Sequence, residues 1–175
     1  MSNGPNPSIA LPKAFDEAEY INVRARAEFF GYATPTALAI LPANFNSANS
    51  KEALLNQSSA ATLRKLWKQA GVTMTPLEKP DERIPEIQQN AFRLIMPIIF
   101  IGYSVWSQNP TAVSLALSVA ANYITDFFKG IGGSKKVKLE IVIEKQQGKE
   151  YRKLSFEGPP EELPDLAKLV SKFNQ

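Results

Sequence analysis

Residues 94–125 read LIMPIIFIGYSVWSQNPTAVSLALSVAANYIT, thirty-two positions without a charged side chain, bracketed by Arg93 and Asp126. Such a run is the buried centre of a small domain, a partner-binding surface or a membrane-active hairpin. Ile87, Ala91, Leu94, Ile95, Ile98, Gly102 and Trp106 recur at helical spacing, which predicts a long helix over 86–106 that Pro97 bends or divides. Gln108-Asn109-Pro110 predicts a turn, with Asn109 as N-cap and Pro110 at the first position of a second helix over 110–129. Val113, Ala116, Leu117, Ala120, Ile124, Phe127 and Phe128 form its apolar face, and Ile98, Leu117, Ile124 and Phe127 are expected to be largely buried. Ser114, Ser118, Ala121 and Thr125 form a second stripe, whose small side chains let another helix approach closely.

On the N-terminal side, residues 1–14, with Pro5, Pro7 and Pro12 among Asn, Gly and Ser, predict a flexible leader. Ile21, Val23, Ala25, Ala27 and Phe29 alternate with polar residues, the period of a strand with one buried face. Thr36–Leu41 predicts a more buried strand, stopped by Pro42. A short helical turn is expected around Lys51–Leu55 and a firmer helix over Ser59–Ala70. In that helix Leu63, Leu66 and Trp67 face inward, Arg64, Lys65 and Lys68 face outward, and Gly71 makes the stop. Val72–Leu77 reads as a short strand and Lys79–Pro85 as a charged connector.

On the C-terminal side, Gly130–Ser134 predicts a joint. Val137, Leu139, Ile141 and Ile143 alternate with polar residues, and Gln147-Gly148-Lys149 turns into a second strand around Tyr151–Phe156, the clearest hairpin in the chain. Gly158-Pro159-Pro160 ends it, and a terminal helix is expected with Leu163, Leu166, Leu169, Val170 and Phe173 inward. The expected fold is therefore α+β. A β-containing region over 15–80 and a β-hairpin–helix unit over 135–175 flank an apolar helical hairpin over 84–129, all within one domain spanning 15–175.

Composition narrows the function. The chain is 175 residues long, 44% hydrophobic and 21% charged, which are globular values. Its net charge is +3, with nine basic and nine acidic side chains in residues 1–91 and nine basic and seven acidic in the last forty-six. No segment carries the one-sided excess that a phosphate-tracking surface requires, which argues against nucleic acid as a partner. Cysteine and histidine are absent. Thiol nucleophiles, disulfides, Cys/His metal sites and Ser–His mechanisms are thereby excluded. Residues 1–12 lack a basic region followed by an apolar one, so no secretory signal is expected. The expected location is the cytoplasm, with a membrane surface as the competitor.

The local motifs carry little chemistry. Gly130-Ile-Gly-Gly-Ser-Lys-Lys136 follows a helix and opens a strand, the reverse of the context in which glycine-loop amides cradle phosphate, so it reads as a linker. The pairs Asp16/Glu17, Asp81/Glu82 and Glu161/Glu162 sit near turns and helix starts, where acids favour the helix dipole. Lysines and arginines around the hairpin, with Tyr151 and Phe156 as possible stacking rings, are interleaved with Glu140, Glu144, Glu150 and Glu157, the pattern of a solvated face. The surviving catalytic residue types form no recognisable spacing, so no enzyme, cofactor or metal site is expected.

The apolar helix from Asn109-Pro110, the segment Tyr123-Ile-Thr-Asp-Phe-Phe-Lys-Gly130, the Lys/Glu-rich hairpin and the Gly-Pro-Pro-Glu-Glu-Leu segment together resemble small accessory proteins of bacterial conflict and defence systems. The run Leu41-Pro42-Ala43-Asn44-Phe45 leading to Leu63-Arg64-Lys65 fits the same layout. That resemblance implies an accessory or adaptor role and brings no functional residues with it. The expectation is a non-catalytic protein that binds another protein or forms a homo-oligomer, with Ile98, Trp106, Ser114, Leu117, Ser118, Ala121 and Thr125 as interaction residues. The alternative is an effector that inserts the 94–125 hairpin into a membrane. Leu94–Trp106 makes about 20 Å of helix against about 30 Å of hydrocarbon, so this requires a re-entrant or oligomeric hairpin with Tyr103, Trp106 and Tyr123 at the interface.

Overall fold

The computed structural model describes residues 15–88 and 93–172. The expected leader, Ala91, Phe173 and the side chain of Val170 lie outside the described residues. One mixed sheet organises the rest, in the order β1 (Asp16–Glu19), β8 (Glu150–Gly158), β7 (Lys136–Gln146), β6 (Ile98–Ile101), β2 (Leu38–Leu41), with β5 (Arg93–Ile95) also paired to β7. β7 and β8 form the expected antiparallel hairpin, with Leu139 opposite Phe156 and Ile141 opposite Leu154. β5 and β6 run parallel to β7, and the connection between β6 and β7 is made by α3 (Tyr103–Gln108) and α4 (Pro110–Phe128). The α+β class holds, and a helical corner does sit at the centre of the chain.

Its first arm, however, is only α3. Residues 93–101, expected within a long helix over 86–106, form strands, and Glu86–Ile87 is the two-residue β4. An apolar run has no period of its own, so its length and composition must decide. Here Ile98, Ile99 and Ile101 are β-branched, and Pro97 and Gly102 limit the run to strand length. From Ile95 opposite Lys138 to Ile99 opposite Ile141, one strand advances four residues while β7 advances three. Met96 and Pro97 are thus a bulge in one interrupted strand, where the missing proline N–H costs no ladder bond. The extra residue also resets the facing: Met96 packs on one side of the sheet and Ile98 on the other.

Three smaller expectations are corrected. Ile21–Phe29 is not a strand; Val23–Phe29 is the helix α1, capped by the Asn22 side chain, which accepts from the Ala25 N–H at 3.0 Å. Val23, Ala27 and Phe30, all buried, lie on one helical stripe, and the same residues satisfy both periods. Val72–Leu77 is irregular, although the Thr75 N–H bonds the Leu38 carbonyl at 2.9 Å. The terminal helix is a 3-10 helix over Leu166–Lys172. The remaining elements are the short 3-10 turns Lys51–Ala53 and Pro160–Glu162, β3 (Asn56–Gln57), which pairs parallel with β4, and α2 (Ser59–Gln69).

The sheet separates two cores. On one face Leu38, Ile40, Ile99, Leu139, Ile141 and Phe156 pack against Leu63 and Trp67 of α2, the apolar side of α4, and Leu166 and Leu169. On the other, Leu41, Ile98, Phe100, Val142 and Tyr151 pack against α1, Phe45, Leu54, Leu77 and Ile84. Beyond that second core the same face carries ion pairs: Glu157 with Arg93 and Lys136, and Glu140 with Lys138 and Lys153. Tyr151 and Phe156, the two candidate stacking rings, are only 2% exposed and belong to the cores. Gly102 joins β6 to α3 against the segment that leads into β2: a Cβ there would land on the Thr36 carbonyl, so only glycine fits.

Candidate interaction surface and polar cleft

α4 starts as the sequence predicts, with the Asn109 side chain accepting from the Ala112 N–H at 3.2 Å and Pro110 in the first turn. It buries Val113, Ala116, Leu117, Ala120, Ile124 and Phe128, while Phe127 is half-buried. The Trp67 indole N–H donates to the Ala116 carbonyl at 3.0 Å and ties α2 to it. Of the expected interaction residues, Ile98, Trp106 and Leu117 are core: Leu117 is fully buried, and the Trp106 indole donates to the Glu144 carbonyl at 2.8 Å. Ser114 lies under the terminal 3-10 helix, its hydroxyl 3.4 Å from the Ala167 carbonyl. Ser118 and Ala121 are half-buried along the same stripe. Thr125 is exposed, with its hydroxyl bonded to the Ala121 carbonyl, beside a groove that Pro160 and Glu161 also line.

The opposite flank of α4 faces outward. Leu115 is 42% exposed, and Val119, Asn122, Tyr123 and Asp126 line a shallow groove with Leu66, Gln69 and Ala70 of α2. The Tyr123 phenol is pushed up by burial, against a hydrogen bond with Thr62. From Pro110 to Thr125 no exposed position is charged. Surface helices normally point charges at water.

A second concave feature, a cleft of about 570 Å³, lies between α2 and the 78–86 connector. β3 and β4 hold its floor, with Asn56 opposite Glu86 and the Asn56 N–H bonded to the Pro85 carbonyl at 2.8 Å. Arg64 pairs with Glu78 at 3.1 Å, and Lys51 with Glu82 at 2.8 Å. The Lys51 ammonium holds the Glu82 carboxyl below its ordinary value; burial, then the Glu82 carboxylate, pushes the Tyr32 phenol up. Several buried polar atoms here have no protein partner: Asn56 Oδ1, Arg64 Nε and Nη2, Glu78 Oε2 and Glu82 Oε2. Among the described residues no group of three acidic side chains could hold a metal ion. What the cleft can do is hydrogen-bond and pair charge. In the sequence Arg64 falls on the solvent side of α2 and Glu82 among solvated acids, while Asn56 and Glu78 carry no signal of their own. These residues come from three separate segments, and no local pattern joins them.

No family model, no curated protein and no solved structure matches the chain.

Proposed function

We propose that the protein is a non-catalytic accessory or adaptor protein, of the bacterial defence kind its sequence resembles, acting in the cytoplasm by contact with another protein or with itself. The observation that carries this reading is the neutral outer flank of α4. Leu115 stands exposed there, next to the groove that Val119 and Tyr123 share with α2, on a helix without a charge for its first four turns. The absence of histidine and cysteine supports it by removing most nucleophile and base chemistry. Light scattering behind size exclusion tests it. Self-association that Leu115→Asp abolishes, with the circular dichroism spectrum unchanged, supports the reading. A strict monomer at high concentration that also recovers no partner encoded beside it counts against it.

The second reading, membrane insertion, is favoured by one observation. α4 is long and apolar enough to cross a membrane by length and composition, with mean hydropathy 1.2, and 33% of it is buried within the fold. The expected two-armed hairpin is not available for it, because residues 94–101 are strands in the middle of the sheet. Insertion would draw α4 alone out of the core, exposing the pocket that Val113, Leu117, Ile124 and Phe128 fill. Leakage of anionic vesicles that Leu117→Asp abolishes would favour this reading over the first.

A further inference from the structure

The outer flank of α4 carries an inference that rests on the interaction reading and makes it specific. We propose that the occupant of this flank is a second copy of the chain, packed antiparallel across a two-fold axis beside Val119, with each copy's Leu115 seated in the other's α2–α4 groove.

The argument starts from the shape of the flank. Thr111, Leu115, Val119, Asn122 and Asp126 recur at steps of three or four residues, so they lie along one outward line of the helix. Leu115 is the raised part, 42% exposed. The hollow part is the groove of about 310 Å³, whose α4 wall of Val119, Asn122, Tyr123 and Asp126 centres on residues 122 and 123. Ridge and hollow thus stand about one turn to either side of Val119. Turning a copy over about an axis there brings each ridge onto the other's hollow, the self-complementarity that a two-fold contact requires. A parallel copy would set Leu115 against Leu115 and leave both grooves empty.

Charge selects the same arrangement. Asp126 is the one charge among those five residues, and the α2 wall of the groove, Leu66, Gln69 and Ala70, has none. In its own helix Asp126 stands in the last turn, at the negative end of the dipole, where a carboxylate is unfavourable. Across the two-fold it meets Thr111 of the copy, in the first turn of α4, where the positive end favours an anion. The acid is misplaced in the monomer and well placed in the dimer, and no like charges meet. The contact is small. α4 is about 28 Å long, and with α2 about 10 Å to its side it offers on the order of 500 Å² per copy. That is the low end for a specific interface, so the dimer is expected to be weak and concentration-dependent.

The chain has no cysteine, so single-cysteine variants report the geometry cleanly. Val119→Cys, beside the axis, is expected to form an interchain disulfide on mild oxidation. Leu115→Cys and Asn122→Cys are each expected not to, because symmetric copies lie about 10 Å apart along the helix, but a mixture of the two should cross-link to each other. Circular dichroism of the reduced variants confirms that each is folded. Asp126→Lys needs no cysteine. It should weaken dimerisation about tenfold in sedimentation equilibrium while raising the melting temperature of the dilute monomer, a split that a purely local role for Asp126 would not give. Leu115→Cys that cross-links to itself as readily as Val119→Cys overturns the proposal. So does a folded mixture that fails to cross-link, or Asp126→Lys that dimerises like the wild type. A chain that stays monomeric but binds a different protein through Leu115 overturns this inference and leaves the adaptor reading standing; a monomer that binds nothing overturns both.

Discussion

Glu144 is only 6% exposed, and a buried carboxylate is costly unless its oxygens are engaged. Both are: Oε1 accepts from the Tyr103 N–H at 2.8 Å, and Oε2 from the Gly148 N–H at 2.8 Å and the Tyr151 hydroxyl at 3.4 Å. One side chain therefore fixes the first turn of α3 and the turn of the hairpin. Glu144→Ala strands two amide donors and is expected to cost about 2–3 kcal/mol in urea denaturation. Glu144→Gln should fall between, since its amide NH2 must face one of the two N–H groups. At Glu82 the expectation is a pH dependence. Its carboxyl is held down by Lys51, so its contribution is complete above the ordinary glutamate range and is lost as the pH falls through the lowered value. The small stability gap between wild type and Glu82→Gln should be present at neutral pH and close in acid. A gap that stays constant down to the acid limit would show that the ion pair contributes nothing.

At the scale of elements, the stripe on α4 gives the sharpest test. Ser114 touches the terminal 3-10 helix, and Ser118 lies one turn further along the same side, half-buried. Ser118→Phe should push that helix away and lower stability by about 1–3 kcal/mol; an unchanged melting temperature would mean that the stripe carries no packing. α2, α4 and the β7–β8 hairpin were legible because each shows one period and its own stop signals: Gly71, Asn109-Pro110 and Gly148. α1 was not, because small and charged residues at alternate positions fit a helix as well as a strand, and only the Asn22 cap separates the two. The 93–101 strand was hidden by uniform apolarity, and its bulge can be seen only once β7 lies beside it. β1, with three acids in four residues, has no hydrophobic signal and is a strand only by pairing with β8. For the candidate sites, the lack of charge on α4 is plain in the sequence. The interaction residues expected from it, however, fall in the core or on the stripe toward the 3-10 helix and not on the outer flank of Leu115 and Val119, and the cleft depends on tertiary proximity.

At the scale of the molecule, the two tryptophans sit in the same core, on the face of the sheet that α4 covers. Trp67 is fully buried and Trp106 is 7% exposed, and both indoles donate to backbone carbonyls. Emission from the native protein should therefore be blue-shifted and poorly quenched by iodide, and should move to the red in a single transition with denaturant. Two separate transitions would show that the packing around α2 and that around α3 fail independently.

The outermost pairing of the sheet joins distant parts of the chain, with Asp16 opposite Ser155 and Glu17 bonded to Arg152, 135 residues later. On a ribosome, β1 emerges on the order of ten seconds before the strand it needs. In that interval it is a short acidic segment with little to aggregate through, while α1 beside it must wait for Val142 and Tyr151 to cover its apolar side. The chain therefore cannot close its own sheet during synthesis until the hairpin near its end is out, and a nascent chain halted before Glu150 would expose α1's apolar side to whatever holds unfinished proteins in the cell.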